Sequence, residues 1–303
     1  MRGKVRFARL SMSATPGRCI TPVRRLGRVL LPAVICLLLI ISGCRKDRPL
    51  DHSILILYAF DAEGVVINDK ISNRRTETHL GRPVVLGELS GKGVILAESG
   101  IGMTNAAMTA QRMIDAYNPR TVVFTGIAGS VDSIVKIGDI VVCSEWITHD
   151  FGYIGRDGFR HRGILAYQPN VDSVVRTVVF PVDSNLITLA AALADSTPDL
   201  RKIGTRQPRL RVGGVGVSGN TFIDSETKRQ WLSHEFDALV TDMESAAVAQ
   251  VCTVNKIPFI IFRSSSDLAG GSGSATARDE LERFFEVAAD NSARVVLQFV
   301  AGL

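Results

Sequence analysis

The chain has 303 residues, 46% hydrophobic and 21% charged, a composition that allows a packed core and excludes disordered, collagen-like and disulfide-scaffold proteins. The formal net charge of +5 comes from residues 1–44, which hold eight basic residues and no acidic one, so the rest carries 27 basic and 30 acidic residues. Because that body is mildly acidic, the charge does not indicate a nucleic-acid-binding protein.

The chain begins with a segment typical of a secretion signal. An uncharged run of 13 residues, 29–41, follows the basic residues; it is shorter than the roughly 20 residues of a spanning helix and suits a signal-peptide core. The run ends in ISGC (41–44), which resembles the lipobox of bacterial lipoproteins. We predict a signal peptide over 1–43, a lipidated Cys44 with a tether over 44–52, and a membrane-anchored, extracytoplasmic body. An uncleaved anchor is the alternative.

Residues 53–303 alternate apolar runs with amphipathic stretches. Strands are predicted over 54–59, 84–86, 94–98, 121–125, 139–144, 210–217, 238–240 and 257–263, and helices over 104–116, 185–194, 225–233, 244–254 and 277–297. Several runs are apolar without alternation, as in strands buried on both faces. This pattern predicts a single three-layer α/β/α domain with a central mixed, mostly parallel, twisted sheet. Residues 150–181 are predicted to form a loop.

The body contains two cysteines and no cluster of metal-ligand residues. Cys143 and Cys252 lie in apolar stretches, which favours small buried side chains, with a disulfide between them as the alternative. His149 and Asp150 follow an apolar run, but no second histidine-rich element accompanies them. We therefore expect neither a metal nor a cofactor.

Acidic residues and glycine-rich turns follow the predicted strands, where ligands bind in open α/β sheets. Glu63 ends the segment FDAE (60–63), Glu244 opens a predicted helix, and Asp267 follows the last core strand. The turns SGIG (99–102) and TGIAG (125–129) offer backbone N–H groups to an oxygen-rich ligand. Each feature alone is also typical of a helix cap or a solvated acid.

The order of these motifs resembles that of the nucleoside phosphorylase/nucleosidase superfamily, and within it the bacterial methylthioadenosine/S-adenosylhomocysteine nucleosidases. The resemblance runs from Ile54 to about Val300. It includes FDAE, SGIG, TGIAG, KIGDIVV (136–142), SGNTFI (218–223), MESAA (243–247) and RSSSD (263–267). It implies the phosphorylase/nucleosidase fold, hydrolysis of the N-glycosidic bond of a purine nucleoside, no cofactor, and a homodimer.

The resemblance also implies roles for individual residues. Asp267 is expected to protonate the purine at N7, and Glu63 to deprotonate the attacking water, tasks that suit desolvated carboxyl groups. Glu244 is expected to bind the ribose hydroxyls. The other implied substrate-binding residues, which surround the base, the sugar and the water, are Met243, Phe222, Ile223, Ser266, Arg263, Gly126 and Ile127.

Two alternatives use the same fold. A phosphate-dependent purine nucleoside phosphorylase would need cations around the nucleophile, whereas Phe124 stands where the related phosphorylases carry arginine, and Glu63 would repel phosphate. A non-catalytic nucleoside-binding lipoprotein would not need both Glu63 and Asp267. Ile127 replaces a serine that nucleosidases often have, which removes one polar contact near the sugar.

Overall fold

The computed structural model describes residues 53–167, 173–196 and 198–303, so the predicted signal peptide, Cys44 and the tether lie outside it. The described residues form sixteen strands and six helices. The strands are β1 (Ile54–Tyr58), β2 (Ser72–His79), β3 (Arg82–Leu89), β4 (Lys92–Glu98), β5 (Thr121–Ser130), β6 (Ile140–Val142), β7 (Glu145–Thr148), β8 (Gly152–Gly155), β9 (Gly158–His161), β10 (Ile164–Tyr167), β11 (Val174–Thr177), β12 (Phe180–Pro181), β13 (Leu210–Val212), β14 (Val215–Ser218), β15 (Ala238–Asp242) and β16 (Phe259–Leu268). The helices are α1 (Asp61–Asn68), α2 (Met103–Tyr117), α3 (Ser184–Asp195), α4 (Glu226–Phe236), α5 (Ser245–Asn255) and α6 (Ala277–Gly302).

Twelve of these strands form one mixed sheet, which confirms the predicted fold class. Its hydrogen-bonded order is β12-β7-β14-β15-β5-β1-β4-β3-β2, with β16 paired to β5 and β6, and β13 paired to β6. The central pairs β1–β4, β1–β5 and β5–β16 are parallel, whereas β2–β3, β3–β4 and β15–β5 are antiparallel. Helices cover both faces, with α1 against α6 and α2 against α5. This double cover explains why β1, residues 122–124 of β5 and residues 259–262 of β16 are apolar without alternation.

The predicted apolar runs all fall on strands, but two predictions about chain organisation are wrong. The run 210–217 is divided into β13 and β14 because Gly213 and Gly214 adopt φ angles of 108° and 79°, which end a strand. The predicted loop 150–181 contains two hairpins, β8–β9 and β10–β11. Helix α1 was not predicted, because its eight residues are too few to show a clear helical period of apolar positions.

Helix α6 packs along β16 and β5 and begins at a capping box. Thr276 Oγ1 accepts a hydrogen bond from the Asp279 N–H at 3.1 Å, and Asp279 Oδ2 accepts one from the Thr276 N–H at 3.0 Å. Such a cap stabilises a helix start by about 1 kcal/mol. Although α6 has 26 residues, no helix in the described ranges is both long and apolar enough to span a membrane.

The two cysteines of the body are buried free thiols. Cys143 lies just after β6 and Cys252 lies in α5, and both are 0% exposed. Burial raises the pKa of each thiol above its ordinary value. The side chains therefore pack as small apolar groups, and the alternative of a disulfide between them is wrong.

Candidate active site

The carboxyl ends of β1, β5, β15 and β16 border one cleft of about 200 Å³. Seven of the ten substrate-site residues predicted from the sequence line this cleft: Glu63, Ile127, Phe222, Met243, Glu244, Ser266 and Asp267. Ile223 lines a smaller pocket that adjoins it at Phe222 and Asp267. Gly126 and Arg263 lie behind the wall, against Glu63. The structure thus brings all ten to one edge of the sheet.

Glu63 is held in the first turn of α1 by two backbone groups. Its Oε2 accepts a hydrogen bond from the Ala59 N–H at 2.6 Å, and its Oε1 accepts one from the Ile127 N–H at 2.8 Å. The side chain is 1% exposed. Burial raises the pKa of Glu63, while Arg263 and the backbone hydrogen bonds oppose the rise. Such a carboxylate accepts a proton more readily than one in water, which suits a general base.

Arg263 is fully buried among three carboxylates. Its Nε lies 2.7 Å from Asp242 Oδ2, its Nη2 lies 3.6 Å from Glu244 Oε2, and its Nη1 lies 3.9 Å from Glu63 Oε1. The guanidinium also lies over the Phe124 ring, 4.1 Å from its centroid. Within the described residues, neither Nη1 nor Nη2 has a hydrogen-bond partner. Because buried donors are normally paired, the charge of the guanidinium is balanced here by its ion pairs with the carboxylates behind the cleft wall.

Gly126 belongs to the site because it lacks a side chain. A Cβ at this position would overlap Arg263 Nη1 and would lie 2.6 Å from Glu63 Oε1. Any larger residue would therefore displace the guanidinium, the carboxylate or the β5 backbone. The glycine of the TGIAG motif lets the strand pass directly beside this ion pair.

Glu244 lies immediately before α5 and is fixed by the SGIG turn. Its Oε1 accepts a hydrogen bond from the Gly102 N–H at 2.8 Å. Gly102 has a φ of 97°, which a residue with a side chain rarely adopts. Burial raises the pKa of Glu244 to about 7, with Arg263 opposing the rise and Asp242 adding to it. The SGIG turn therefore orients a carboxylate, in addition to bordering the cleft through Ile101.

Asp242 is a site residue to which the sequence analysis assigned no role. It ends β15, is 7% exposed and lines the cleft. Besides its ion pair with Arg263, its Oδ1 accepts hydrogen bonds from Ser218 Oγ at 2.5 Å and from the Ser245 N–H at 3.2 Å. An acid between a strand and a helix is a signal for a helix cap. The sequence around Asp242 contains this cap signal, but a cap signal does not predict the ion pair between Asp242 and Arg263.

Asp267 lies inside β16, whereas the sequence placed it after the strand. The pairing of β16 with β5 shifts register between Ser265 and Asp267, and such an irregularity re-aims side chains. The side chain is 2% exposed, and its Oδ2 accepts a hydrogen bond from Ser266 Oγ at 2.8 Å. Burial raises the pKa of Asp267 to about 7, with the Ser266 hydrogen bond opposing the rise and Glu280 and Asp224 adding to it. This carboxyl group can therefore carry a proton near neutral pH.

The remaining wall of the cleft is largely apolar. Phe222 is 42% exposed, so its ring offers a face for stacking, while Ile223 is buried. Both lie in the segment between β14 and α4, beside Asp267 and Met243. Apolar surface elsewhere in the cleft comes from Phe60, Ile101, Ile127 and Leu281. An aromatic face next to a protonated acid suits a flat, basic ring system.

This cleft combines the acid and base groups needed to break a bond to a poor leaving group, which must be protonated as it departs. Asp267 can donate a proton on the aromatic side, and Glu63, paired with the buried Arg263, can accept one on the other side. Glu244 supplies a further oxygen acceptor near Glu63 through its shared contact with Arg263. Separate acid and base groups in one desolvated cleft are typical of hydrolytic enzymes.

Comparison with known proteins identifies the family of this chain. Residues 54–301 match the model of the phosphorylase superfamily. A 5'-methylthioadenosine/S-adenosylhomocysteine nucleosidase of Psychromonas ingrahamii is 33% identical over 254 residues, which cover 82% of this chain and 98% of the relative. A nucleosidase of the same name from Tolumonas auensis is also 33% identical, with the same coverage.

Solved structures give the same result. The 5'-methylthioadenosine/S-adenosylhomocysteine nucleosidase of Neisseria meningitidis, in complex with methylthio-immucillin-A, has a TM-score of 0.68 and 26% identity and covers 83% of this chain and 99% of its own. The futalosine hydrolase of Helicobacter pylori has a TM-score of 0.69 and 26% identity, with coverage of 83% and 98%. The fold is thus similar to that of enzymes named as a nucleosidase and a hydrolase.

Proposed function

The chain belongs to the phosphorylase superfamily, and we propose that it hydrolyses the N-glycosidic bond of a purine nucleoside of the 5'-methylthioadenosine or S-adenosylhomocysteine type. The products are free adenine and a ribose derivative. The observation that carries this proposal is the presence of buried Glu63, Glu244 and Asp267 in one cleft. The naming of the relatives supports the substrate class.

In the proposed mechanism each acid acts on a different part of the substrate. Asp267 donates its proton to purine N7, which makes the base a better leaving group as positive charge develops on the ribose. Glu63 takes a proton from the water that attacks the anomeric carbon, and Arg263 supports the Glu63 carboxylate from behind the cleft wall. Glu244 binds the ribose hydroxyls, because a carboxylate has two oxygens that can accept hydrogen bonds from two neighbouring hydroxyl groups.

The remaining contacts orient the substrate. Phe222 stacks on the purine, the backbone of Ile223 reads its edge, and Met243 packs against the sugar. Ser266 holds the Asp267 carboxyl group through their 2.8 Å hydrogen bond. The apolar surface of Phe60 and Ile101 suits a thioether substituent at the ribose 5' position.

Water, and not phosphate, is the proposed nucleophile. Arg263, the cation beside Glu63, is already paired with Asp242, Glu244 and Glu63. A phosphate dianion placed there would face three carboxylates, and the like charges would repel it. Phe124, in the position of a phosphorylase arginine, is fully buried under Arg263 and offers no charge.

We expect the full-length protein in detergent to release adenine from 5'-methylthioadenosine at the same rate with and without phosphate. The sugar product is expected to be the free ribose derivative, because water supplies the new oxygen. Adenine release and sugar analysis by chromatography measure both quantities. Strict dependence on phosphate, with a sugar 1-phosphate product, would contradict hydrolysis. Binding without any adenine release would instead indicate a nucleoside-binding protein.

We further propose that the body is anchored to a membrane, outside the cytoplasm, through lipidated Cys44. The support is the sequence pattern of residues 1–44. Cys44→Ser is expected to abolish labelling by a fatty-acid probe in a bacterial host and to release the protein from the membrane fraction. Cys36→Ser, which changes a cysteine inside the apolar run, is the matched control and should label normally. Undiminished labelling of Cys44→Ser would refute the assignment.

We also propose that the protein is a homodimer. Hairpins β8–β9 and β10–β11 expose large apolar side chains: Tyr153 at 56%, Ile154 at 78%, Leu165 at 57% and Tyr167 at 64%. Each hairpin thus exposes two large apolar side chains, and exposed apolar surface is a signal for an interaction site. Analytical ultracentrifugation of the protein in detergent tests the proposal, which a monomer at micromolar concentration would refute.

A further inference from the structure

Glu280 is a buried acid that the proposed mechanism does not use. It lies in the first turn of α6 and is 4% exposed. Its Oε2 accepts a hydrogen bond from the Leu268 N–H at 2.8 Å, and Leu268 directly follows Asp267 at the end of β16. Within the described residues, the ion pairs of α6 are made by Glu282 and Asp290 and not by Glu280. A carboxylate buried without a cation is costly, so its position calls for a reason.

A second acid connects the start of α6 to the base-binding segment. Asp224 Oδ1 accepts a hydrogen bond from the N–H of Ala277, the first residue of α6, at 2.9 Å. Asp224 lies two residues after Phe222, which borders the cleft. One helix start therefore joins the segment that stacks on the base to the end of the strand that carries Asp267.

We propose that Glu280 is a positioning residue for Asp267: its buried carboxylate fixes the backbone beside Asp267 and keeps a negative charge next to it, so that Asp267 retains its proton in the resting enzyme. The inference rests on the proposed function, in which Asp267 is the general acid. It extends that function to a residue that does not line the cleft.

The two acids outside the cleft act on Asp267 in the same direction. Glu280 approaches from α6 and Asp224 from the segment before α4, while Asp242 at the end of β15 lines the same cleft and β5 contributes the uncharged Gly129 and Ser130. Burial raises the pKa of Asp267 to about 7, Ser266 opposes the rise through its hydrogen bond, and both acids add to it. A negative charge disfavours a second one nearby. Removing the charge of Glu280 should therefore favour ionised Asp267.

The test is the pH dependence of kcat/KM for adenine release by the full-length protein carrying Glu280→Gln. Glutamine keeps an oxygen that accepts the Leu268 N–H but removes the charge. Since activity needs protonated Asp267, it falls as pH rises through that pKa. In the variant we expect the fall to begin at least about half a pH unit lower, which is roughly a three-fold loss on the alkaline side. Below the fall, activity should match that of the unsubstituted protein.

Two further variants separate this effect from other causes. Glu282→Gln removes the same charge from the same helix at an exposed position, where the side chain is 70% exposed, and its profile should superimpose on that of the unsubstituted protein. Asp224→Asn should shift the fall in the same direction by a smaller amount. It also provides the test if Glu280→Gln does not fold, as judged by its thermal unfolding.

The proposal is overturned if folded Glu280→Gln gives an unshifted profile, or the same shift as Glu282→Gln. If only Asp224→Asn folds, an unshifted profile of that variant overturns it. A purely structural role would lower activity equally at all pH values and leave the fall in place. Failure of the proposed function looks different: the unsubstituted protein releases no adenine, or Asp267→Asn keeps full activity, and this inference then falls with it.

Discussion

Asp267→Asn is expected to lower kcat for adenine release about 10²–10⁴-fold, which is the usual contribution of a general acid. Asparagine keeps the size of the side chain and can accept the hydrogen bond that Ser266 Oγ donates to Asp267, but it cannot transfer a proton to N7. Because Phe222 and Glu244 are unchanged, affinity for a non-hydrolysable nucleoside analogue should change little. The residual activity should also lose the fall near pH 7 that the titration of Asp267 produces.

The measurement pairs turnover, from adenine release, with affinity, from calorimetry on the analogue. Glu244→Gln is the contrasting variant: it removes a charge-assisted contact to the ribose worth roughly 1.5–3 kcal/mol, or about 10–150-fold in affinity, and should weaken binding as well as rate. Normal turnover by Asp267→Asn would mean that another group is the acid. Equal loss of affinity in both variants would show that the acids hold the cleft together, leaving separate catalytic roles unsupported.

The second large effect is expected from Glu63→Gln, which should lower kcat about 10²–10⁴-fold because an amide cannot take a proton from water. This change is less conservative than its size suggests. The Ala59 and Ile127 N–H groups each donate to one oxygen of Glu63, and glutamine has only one oxygen to offer. One buried donor is left facing an NH₂ group, at a cost of about 1–3 kcal/mol in stability.

Kinetics and thermal unfolding of Glu63→Gln should therefore be measured together. Glu98→Gln is the matched control, since Glu98 is a partly buried acid at the end of the neighbouring strand β4, paired with Arg82 and outside the cleft wall. It should leave turnover within about two-fold, as expected for a group that does not touch substrate. Near-normal turnover by a folded Glu63→Gln would exclude Glu63 as the base.

The sequence predicts which acids share the site because parallel strands end at a common edge. Glu63 and Asp267 follow from that rule, since β1 and β16 run parallel to β5. Glu244 comes after β15, which is antiparallel to β5, and its place in the site is predicted by the resemblance. The rule does not give local geometry. Asp267 reaches the cleft through an irregularity within β16, which depends on the partner strand and leaves no signal in the run of serines before it.

Long-range charge pairing is the other feature that the sequence does not reveal. The pairing of Asp242 with Arg263 and the burial of Glu280 beside Leu268 join residues on different elements. The local sequence predicts a helix cap at Asp242 and a solvated helix face at Glu280. Hairpins β8–β9 and β10–β11 were missed for a related reason, since their strands of four residues sit among glycines and charges that are typical of loops.

The stacking of Arg263 on Phe124 also constrains how such an enzyme could evolve. The resemblance places a phosphorylase arginine at the position of Phe124, so a single substitution there would look like a short route from water to phosphate as the nucleophile. In this chain the new guanidinium would enter a fully buried site whose space is already taken by Arg263, which lies 4.1 Å from the centroid of the Phe124 ring. The route therefore requires Arg263 to be lost first, which leaves Asp242, Glu63 and Glu244 without their shared cation. Whichever of Phe124 and Arg263 is substituted first, the resulting protein has a defective site. The residues that determine the nucleophile are therefore expected to change together.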